Sequence, residues 1–566
     1  MCGIVGVVNK SKKASEDLMF GLKQMEYRGY DSAGVVFSKN FNTYKSIGSL
    51  INLEKACLHN EDTIGIAHTR WATHGSVNLT NTHPIKIGNF AIVHNGIIED
   101  TDKIIKEINY KPQTQTDTEI LLAYFVFLRK EHSLEDSLQI IDQKIKGSYA
   151  ALILEFSSDQ IIWLKKGFSP IVISETEFGY TVASDMEGVK NPIKTYEINS
   201  NGYGIISNSF VSDFQTFKKN LIIKGEFSEK TTKENLFHEK TKSHNTWLEE
   251  EILEQIKIFE NEKSLNLKKD FSVYHNVKLI GCGSSFFAAE IGAYWLEEEN
   301  ILASASIASE WNISDTPTFD HQLTIFISQS GFTADTVSAL LKAKKYSKTL
   351  ALVNKKNSPI SNNSDQVVLL NAGTEKSVAS TKSFSSQIIK LFQIIKGTLP
   401  KNIEEKVKNI FKIDVEKIVD NILKHREIFI LGKNKMSLVA KEGMLKITEI
   451  TYLNVFAYPA GELKHGYIAK ITEETISIIL APEDPVLLQK TLSSAQEIIS
   501  RDGKILLIAS ENYIKKDLFI KTDPMNYDEA TFCYTILLQR IAFKLAEKLN
   551  RPIDKPRNLA KSVTVE

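Results

Sequence analysis

MCGIVGVV (residues 1–8) places a cysteine directly behind the initiator, then a glycine, then a β-branched apolar run. Ile4–Val8 reads as a buried strand, so the thiol stands at the entrance to a sheet and not in a loose tail. Removal of Met1 would leave Cys2 with a thiol and a free α-amine in one residue. A thiol of ordinary acidity is only a few per cent thiolate at neutral pH and needs a base. An α-amine, with a reference pKa of about 7.7–8.0, suits that task. The bland alternative is a cysteine that merely follows Met1. The company it keeps decides against that: EYRGYDSAG (26–34), HTRWATHG (68–75), HPI (83–85), HNGIIE (94–99) and TDTE (116–119) lie in the same third of the chain.

Further strand-like runs follow at Ala33–Phe37, Thr63–Ala67, Phe90–Val93, Ala150–Leu154 and Ile161–Leu164, with a helical stretch at Glu119–Lys130. Turn residues separate them, which predicts a strand-rich α+β layer structure up to about residue 215. FSEKTTKENLFHEKTKSHN (227–245) is polar and charged and reads as linker. Beyond it, continuous apolar strands alternate with helices, the mark of parallel sheets covered on both faces. The strands Val277–Ile280, Leu323–Ile327, Leu350–Val353 and Val367–Leu370 recur as Ile428–Leu431, Ile476–Leu480, Ile505–Ile508 and Leu518–Ile520, about 150 residues later. Two copies of one βαβ domain are expected.

Composition excludes several classes. The 566 residues, 42% hydrophobic and 24% charged, fit a soluble globular chain of three or four domains. Lys plus Arg and Asp plus Glu are 69 each, so no global field favours nucleic acid or an anionic membrane. No apolar run reaches the ~18–20 residues of a membrane span, and no signal peptide is expected before Cys2. Cys2, Cys57, Cys282 and Cys533 form no CxxC pair, so neither a disulfide framework nor a zinc site is expected, and a reducing cytoplasm is the expected location. His68, His74, His83 and His94 lack the short paired spacing of a metal ligand set. They are expected to hydrogen-bond loops, and no metal, pyridoxal phosphate or nucleotide is expected.

The front motifs, in order and spacing, resemble the class II glutamine amidotransferase domain, an N-terminal-nucleophile hydrolase with an αββα sandwich. The resemblance implies that Cys2 attacks the side-chain amide of glutamine, with Asn95 and the backbone N–H of Gly96 as oxyanion hole. It implies that Arg70 and Asp117 clamp the α-carboxylate and α-amine of glutamine, that Thr73 and His74 line that pocket, and that Trp71 gates an ammonia channel. A zwitterion does need one cation and one anion, and arginine can grip a carboxylate with two hydrogen bonds.

Ammonia needs an acceptor. LTIFI runs into SQSGFTADT (328–336), and Thr333–Lys345 then reads as a helix. Hydroxyls and amides at a strand-to-helix turn suit a phosphate. GCGSS (281–285) and VASTKSF (378–384) supply two more such turns, and no Walker lysine or GxGxxG is present. Single Ser and Thr residues cap helices everywhere, but three loops at strand carboxyl ends of one domain predict a phosphate pocket. These loops resemble the sugar isomerase (SIS) domain, here twice as parallel-sheet α/β units. The resemblance implies that Ser328, Gln329, Ser330 and Thr333 hold a sugar phosphate and that Ser285, Val378 and Ser380 contact the sugar chain.

KEGMLKITEITYL (441–453) puts Glu442, Lys446 and Glu449 on one helical face. A surface salt-bridge ladder would look the same. AGELKHG (460–466) and the terminal PRNLAKSVTVE change the balance. As a whole the chain resembles the glutamine–fructose-6-phosphate aminotransferase family. That resemblance implies glutamine and fructose 6-phosphate as substrates and a homodimer. It makes Glu449 the base that moves a proton between sugar C1 and C2, Lys446 its charged partner, His465 the ring-opening group from a neighbouring subunit, and Lys561 the Schiff-base lysine.

The expected division is 2–218 amidotransferase, 219–246 linker, 247–398 and 399–555 SIS domains, and 556–566 tail. Phe332, Thr448 and Tyr467 depart from the family pattern and bear on pocket shape, not on assigned chemistry. Two rivals remain: a non-catalytic SIS sugar-phosphate sensor, and an amidotransferase for another phosphosugar. A sensor has no use for Glu449, His465 and Lys561 together, and a phosphoribosyl enzyme would carry an acidic pyrophosphate-sugar loop that this sequence lacks.

Overall fold

The computed structural model describes residues 2–48, 50–71, 75–198, 200–207, 227–230, 244–311, 321–515 and 518–563, of which Tyr27 and 227–230 are described by backbone alone. The chain divides into two compact units, Met1–Lys240 and Thr241–Lys561.

In the first unit the strand Gly3–Asn9 is buried along its whole length, and its alternation shows why. Ile4 and Val8 pack with Val93, Leu152 and Trp163 of a second sheet. Val5 and Val7 pack under the helices Ala14–Gln24 and Leu50–Cys57, with Leu18, Leu22 and Leu53. Successive side chains on a strand point to opposite faces, so a strand covered on both sides reads as one apolar run. The sheet holding Gly3–Asn9 has eight antiparallel strands, in the order Phe227–Lys230, Lys194–Ile198, Val172–Thr176, Gly179–Ala183, Gly3–Asn9, Ile64–Arg70, Ser32–Phe37, Thr43–Ile47. The facing sheet orders Gly202–Ser207, Gln160–Lys166, Gly147–Glu155, Phe90–Ile98, Ile85–Ile87. Its outer face carries the helices Asp117–Leu128 and Leu134–Lys144 through Ile92, Leu121, Phe125 and Leu138. Helix, sheet, sheet, helix is the αββα sandwich that the motifs implied. Truncating one of these fully buried aliphatics to alanine costs about 2–5 kcal/mol.

In the second unit, two five-stranded parallel sheets share one topology. The first orders Ala303–Ile307, Asn276–Gly281, Gln322–Ser328, Lys348–Val353, Gln366–Leu369; the second orders Val455–Pro459, Glu427–Gly432, Thr475–Leu480, Lys504–Ala509, Phe519–Lys521. In chain order each reads 2-1-3-4-5, a doubly wound sheet whose switch point lies between its first and third strands. One core runs through both, built on the helices Ser284–Glu298, Lys382–Ile395, Lys435–Thr451 and Tyr527–Lys548. Trp295, Phe392 and Phe532 meet there edge to face or tilted. Asp528, partly exposed at the edge of this core, accepts from Trp295 Nε1 at 2.7 Å and from Lys435 Nζ at 2.5 Å.

Two expectations need correction. Each sheet has five strands, not four: ASASI (303–307) and VFAYP (455–459) are edge strands. Small residues in one and a proline in the other, each with one half-exposed face, leave no continuous apolar run to detect. Part of the expected linker, Phe227–Lys230, is a strand paired with Thr195–Ile198. It completes backbone hydrogen bonds that the neighbouring strand would otherwise leave open, a purpose that polar composition conceals.

Candidate active site

Strand pairing assembles the front cluster. Gly3 pairs with Thr69, which sets Cys2 beside the end of the strand Ile64–Arg70. The Trp71 backbone N–H donates to Cys2 Sγ at 3.3 Å, and the Cys2 backbone N–H donates to Asn95 Oδ1 at 3.2 Å. Asn95 Nδ2 is buried with no hydrogen-bond partner. A buried amide donor left unpaired costs about 1–3 kcal/mol, so it marks a place where an acceptor is meant to arrive. Gly96 has φ +131, and a Cβ there would lie 2.1 Å from the Ser148 carbonyl oxygen. Only glycine lets the chain turn its amide at this point. Burial pushes the Cys2 thiol up, while the chain-terminal ammonium, the Trp71 N–H and the Arg70 charge work to bring it down and Asp117 raises it.

Arg70 is 2% exposed and donates to the carbonyls of Gly75 and Ser76 at 3.3 Å each. Asp117 opens the helix Asp117–Leu128 and accepts from the Ile98 N–H at 2.8 Å. Both charges act on the Cys2 sulfur, so one cation and one anion flank the thiol. Trp71 meets Tyr30 edge to face, with ring centroids 6.0 Å apart. Thr73 and His74 lie outside the described residues.

The remaining histidines form a buried network, not the loop contacts expected of them. His83 Nε2 and His94 Nδ1 share Thr118 Oγ1 at 2.7 and 2.9 Å, and His68 Nε2 meets the His94 carbonyl at 2.9 Å. Burial lowers His68 to about 3 and His83 well below its ordinary value, so both are neutral at physiological pH.

In the first parallel sheet, two sequence-predicted loops flank the switch point. Ser328 ends the strand Gln322–Ser328; its Oγ accepts from the Gly331 N–H at 3.0 Å and meets Thr333 Oγ1 at 3.1 Å. Gly331 has φ +72, and a Cβ there would lie 2.0 Å from Ser358 Oγ. Ser330 Oγ accepts from the Phe332 N–H at 3.1 Å, and the Gln329 carbonyl from the Asn354 N–H at 3.2 Å. Thr333 stands at the N-terminus of Ala334–Ala343 with its side chain making no cap bond. Across the switch point, Ser285 Oγ accepts from Gln387 Nε2 at 3.0 Å in the first turn of Ser284–Glu298. The equivalent turn of the second sheet reads APEDP (481–485). It offers two carboxylates and no hydroxyl, which disqualifies it as a phosphate cradle.

A buried charge cluster adjoins these loops. Lys446 contacts Glu449 and lies 3.5 Å from Glu442. Burial works against the Lys446 ammonium, but Glu442 and Glu449 outweigh it and hold it above its ordinary value. Glu442 is 1% exposed, and burial raises it to about 7 against the pull of Lys446. Lys561 contacts Glu375, whose other oxygen accepts from the Thr381 and Ser383 N–H groups at 3.0 Å each. Burial alone would raise Glu375; the Lys561 ammonium and the Ser383 hydrogen bonds win and hold it low. Ser380 Oγ meets Ser383 Oγ at 2.6 Å, and the Val378 N–H donates to the Asp554 carbonyl at 3.1 Å. Sequence reasoning missed Glu375, which stands three residues before VAS and has no periodic signal of its own. His465 is exposed on the loop after Val455–Pro459 and makes no hydrogen bond to this cluster among the described residues.

Comparison with known proteins bears on both regions. A family described as glutamine amidotransferase domain matches residues 70–191, and the SIS domain matches 271–395 and 421–546. Over the full length of both chains, the sequence is 35% identical to glutamine–fructose-6-phosphate aminotransferase [isomerizing] of Francisella tularensis, and 34% identical to that of Helicobacter pylori. The chain belongs to the glutamine–fructose-6-phosphate aminotransferase family. Among solved structures, the C-terminal domain of the Francisella tularensis aminotransferase superposes with a TM-score of 0.51 at 29% identity, covering 56% of this chain and all of that one. The superposed share accords with the doubled SIS architecture of the aminotransferase family.

Proposed function

We propose that this protein transfers the amide nitrogen of glutamine to fructose 6-phosphate, yielding glucosamine 6-phosphate and glutamate, the entry reaction of hexosamine synthesis. The observation that carries the reading is the pairing of two chemistries in one chain. A thiol stands beside an orphaned oxyanion donor in one unit, and a lysine–carboxylate cluster adjoins hydroxyl-lined phosphate loops in the other.

In the first half-reaction Cys2, freed of Met1, gives its thiol proton to its own α-amine and attacks the glutamine side-chain carbonyl. Asn95 Nδ2 and the Gly96 N–H receive the oxyanion. Such donors act where charge develops and are worth two to three decades of rate each, about 2.7–4 kcal/mol. The C–N bond breaks, ammonia leaves with the proton, and water hydrolyses the thioester to glutamate. Arg70 and Asp117 orient the substrate, with Thr73 and His74 beside them, and Trp71 guards the exit of ammonia.

In the second, Ser328, Gln329, Ser330 and Thr333 hold the phosphate while Ser285, Val378 and Ser380 contact the sugar. His465 of a second copy opens the ring, which makes the working unit a homodimer. The Lys561 amine condenses with the C2 ketone and expels water. Ammonia displaces the lysine from that imine, and Glu449, oriented by Lys446, moves a proton from C1 to C2 to give the aldose. No cofactor is required at any step. The four cysteines are unpaired, and among the described residues no helix is long and apolar enough to cross a membrane; both support a location in a reducing cytoplasm. The division 2–218, 219–246, 247–398, 399–555 and 556–566 is the functional layout proposed, with the strand Phe227–Lys230 inside the second segment.

The test is glutamate release from glutamine with and without fructose 6-phosphate, with the amino sugar assayed alongside. Stimulation by the sugar with stoichiometric glucosamine 6-phosphate is expected. Unstimulated hydrolysis without amino sugar would favour a sugar-phosphate sensor instead.

A further inference from the structure

One buried carboxylate in the cluster around Lys561 has no part in the reaction as proposed. Glu251 lies in the helix Trp247–Leu253 and is 2% exposed. Its Oε1 accepts the Lys376 and Ser377 N–H groups, the latter at 3.2 Å. Its Oε2 is buried with no hydrogen-bond partner. The setting is rigid. Asp554 accepts from the Trp247 and Leu248 N–H groups at 3.0 Å each, and its carbonyl accepts from Val378. Helix, loop 374–383 and tail are thereby tied together around Glu251.

The charges facing this point can be assigned. Loop 374–383 brings Glu375, Lys376 and Lys382; the helix brings Glu250, and Glu254 just beyond its end; the tail brings Asp554 and Lys561. Lys561 is taken by Glu375. Lys382 is taken by Glu254 at 2.5 Å and by the Thr374 carbonyl at 2.5 Å. Each of these two buried cations already has its carboxylate, and Glu251 is left with none within ion-pair distance among the described residues. An isolated buried carboxylate costs far more than its neutral acid.

We infer that Glu251 is carried as a neutral carboxylic acid, and that this leaves Lys561 with one counter-charge, Glu375, where an ionised Glu251 would give it two. The inference rests on Lys561 being the imine-forming lysine. An ammonium facing two carboxylates surrenders its proton less readily than one facing a single carboxylate, and only the free amine can attack a ketone. Glu251 is therefore a positioning residue that acts through Lys561, fixing the charge balance under which the amine is released. Burial, joined by the Glu375 charge, raises Glu251 against the pull of the Lys561 and Lys382 charges and of the Lys376 N–H, which agrees with this.

The experiment follows imine formation in the full-length protein, trapped with fructose 6-phosphate and cyanoborohydride and counted by mass spectrometry from mildly acidic to alkaline pH. Glu251→Gln keeps the shape and the neutral carbonyl acceptor but cannot ionise. One unit charge several Å away at an effective dielectric of about 20 is worth one to two pH units. The E251Q trapping curve is therefore expected to coincide with that of wild type on its acidic limb, where Glu251 is neutral, and to run ahead of it on the alkaline limb, by up to about one unit, as Glu251 ionises. The wild-type curve should itself be broader than a one-proton titration, a readout that needs no variant. Glu251→Met serves if E251Q does not fold. A shift of the whole curve would show Glu251 ionised throughout, and coincidence over the whole range, or a simple one-proton curve in wild type, would show that it does not act on Lys561; each overturns the inference. No trapped imine in wild type at any pH would instead overturn the role of Lys561.

Discussion

Asn95→Ala separates catalysis from folding most cleanly. The side chain makes one hydrogen bond, from the Cys2 N–H to Oδ1 at 3.2 Å, while its Nδ2 is buried and unpartnered. Losing one hydrogen bond costs the fold about 0.5–1.5 kcal/mol, and deleting an orphaned donor returns a desolvation penalty of similar size. The substitution should change stability by no more than about 1–2 kcal/mol. Its effect on turnover is expected to be far larger, because the donor becomes useful only when the amide oxygen takes on charge: a 10²–10³-fold loss in kcat, or about 2.7–4 kcal/mol. Glutamate release at saturating glutamine gives the rate, and thermal unfolding of the same sample gives the control. Turnover within tenfold of wild type, with an intact melting transition, would refute the oxyanion assignment. A collapsed melting transition would show instead that Asn95 is needed for the fold.

Cys2→Ala should abolish glutamine hydrolysis while fructose 6-phosphate is still isomerised; comparable glutamate release from the variant would remove Cys2 from the chemistry. Lys561→Ala should lose amino sugar synthesis, and a borohydride-trapped imine in that variant would show another lysine at work. Glu442 is raised from 4.5 to about 7 in the folded protein, so its contribution to stability is full below about pH 4.5 and fades as pH rises through 7. The loss is up to ~3 kcal/mol by linkage. Glu442→Gln should therefore gain on wild type in denaturant midpoint as pH climbs through that window, and a pH-independent difference would count against the assignment.

The parts of the site legible in the sequence are those made by neighbours in the chain. Ser328–Thr333 announces itself because a buried strand runs straight into hydroxyls and then a helix, and the resulting turn needs no distant partner to form. The Cys2 strand is equally local. Pairing by resemblance also reached Asn95, but not that its Nδ2 is left without a partner, which follows only once the strand Phe90–Ile98 is laid against its neighbours. Glu375 and Glu251 were hidden for the same reason. Their meaning comes from Lys561, nearly two hundred residues or more away, and from amides of an irregular loop that carries no period. Edge strands failed on other grounds: with one face half exposed, ASASI and VFAYP never needed a continuous apolar sequence. Phe227–Lys230 pairs through its backbone, to which composition is blind.

The most direct measurement supplies glutamine labelled with ¹⁵N at the amide, together with fructose 6-phosphate and unlabelled ammonium in the buffer, and reads the product by mass spectrometry. The account predicts glucosamine 6-phosphate carrying ¹⁵N in step with the glutamate formed. Glutamate accumulating beside an unchanged sugar phosphate, or an amino sugar built from the unlabelled pool, would contradict it.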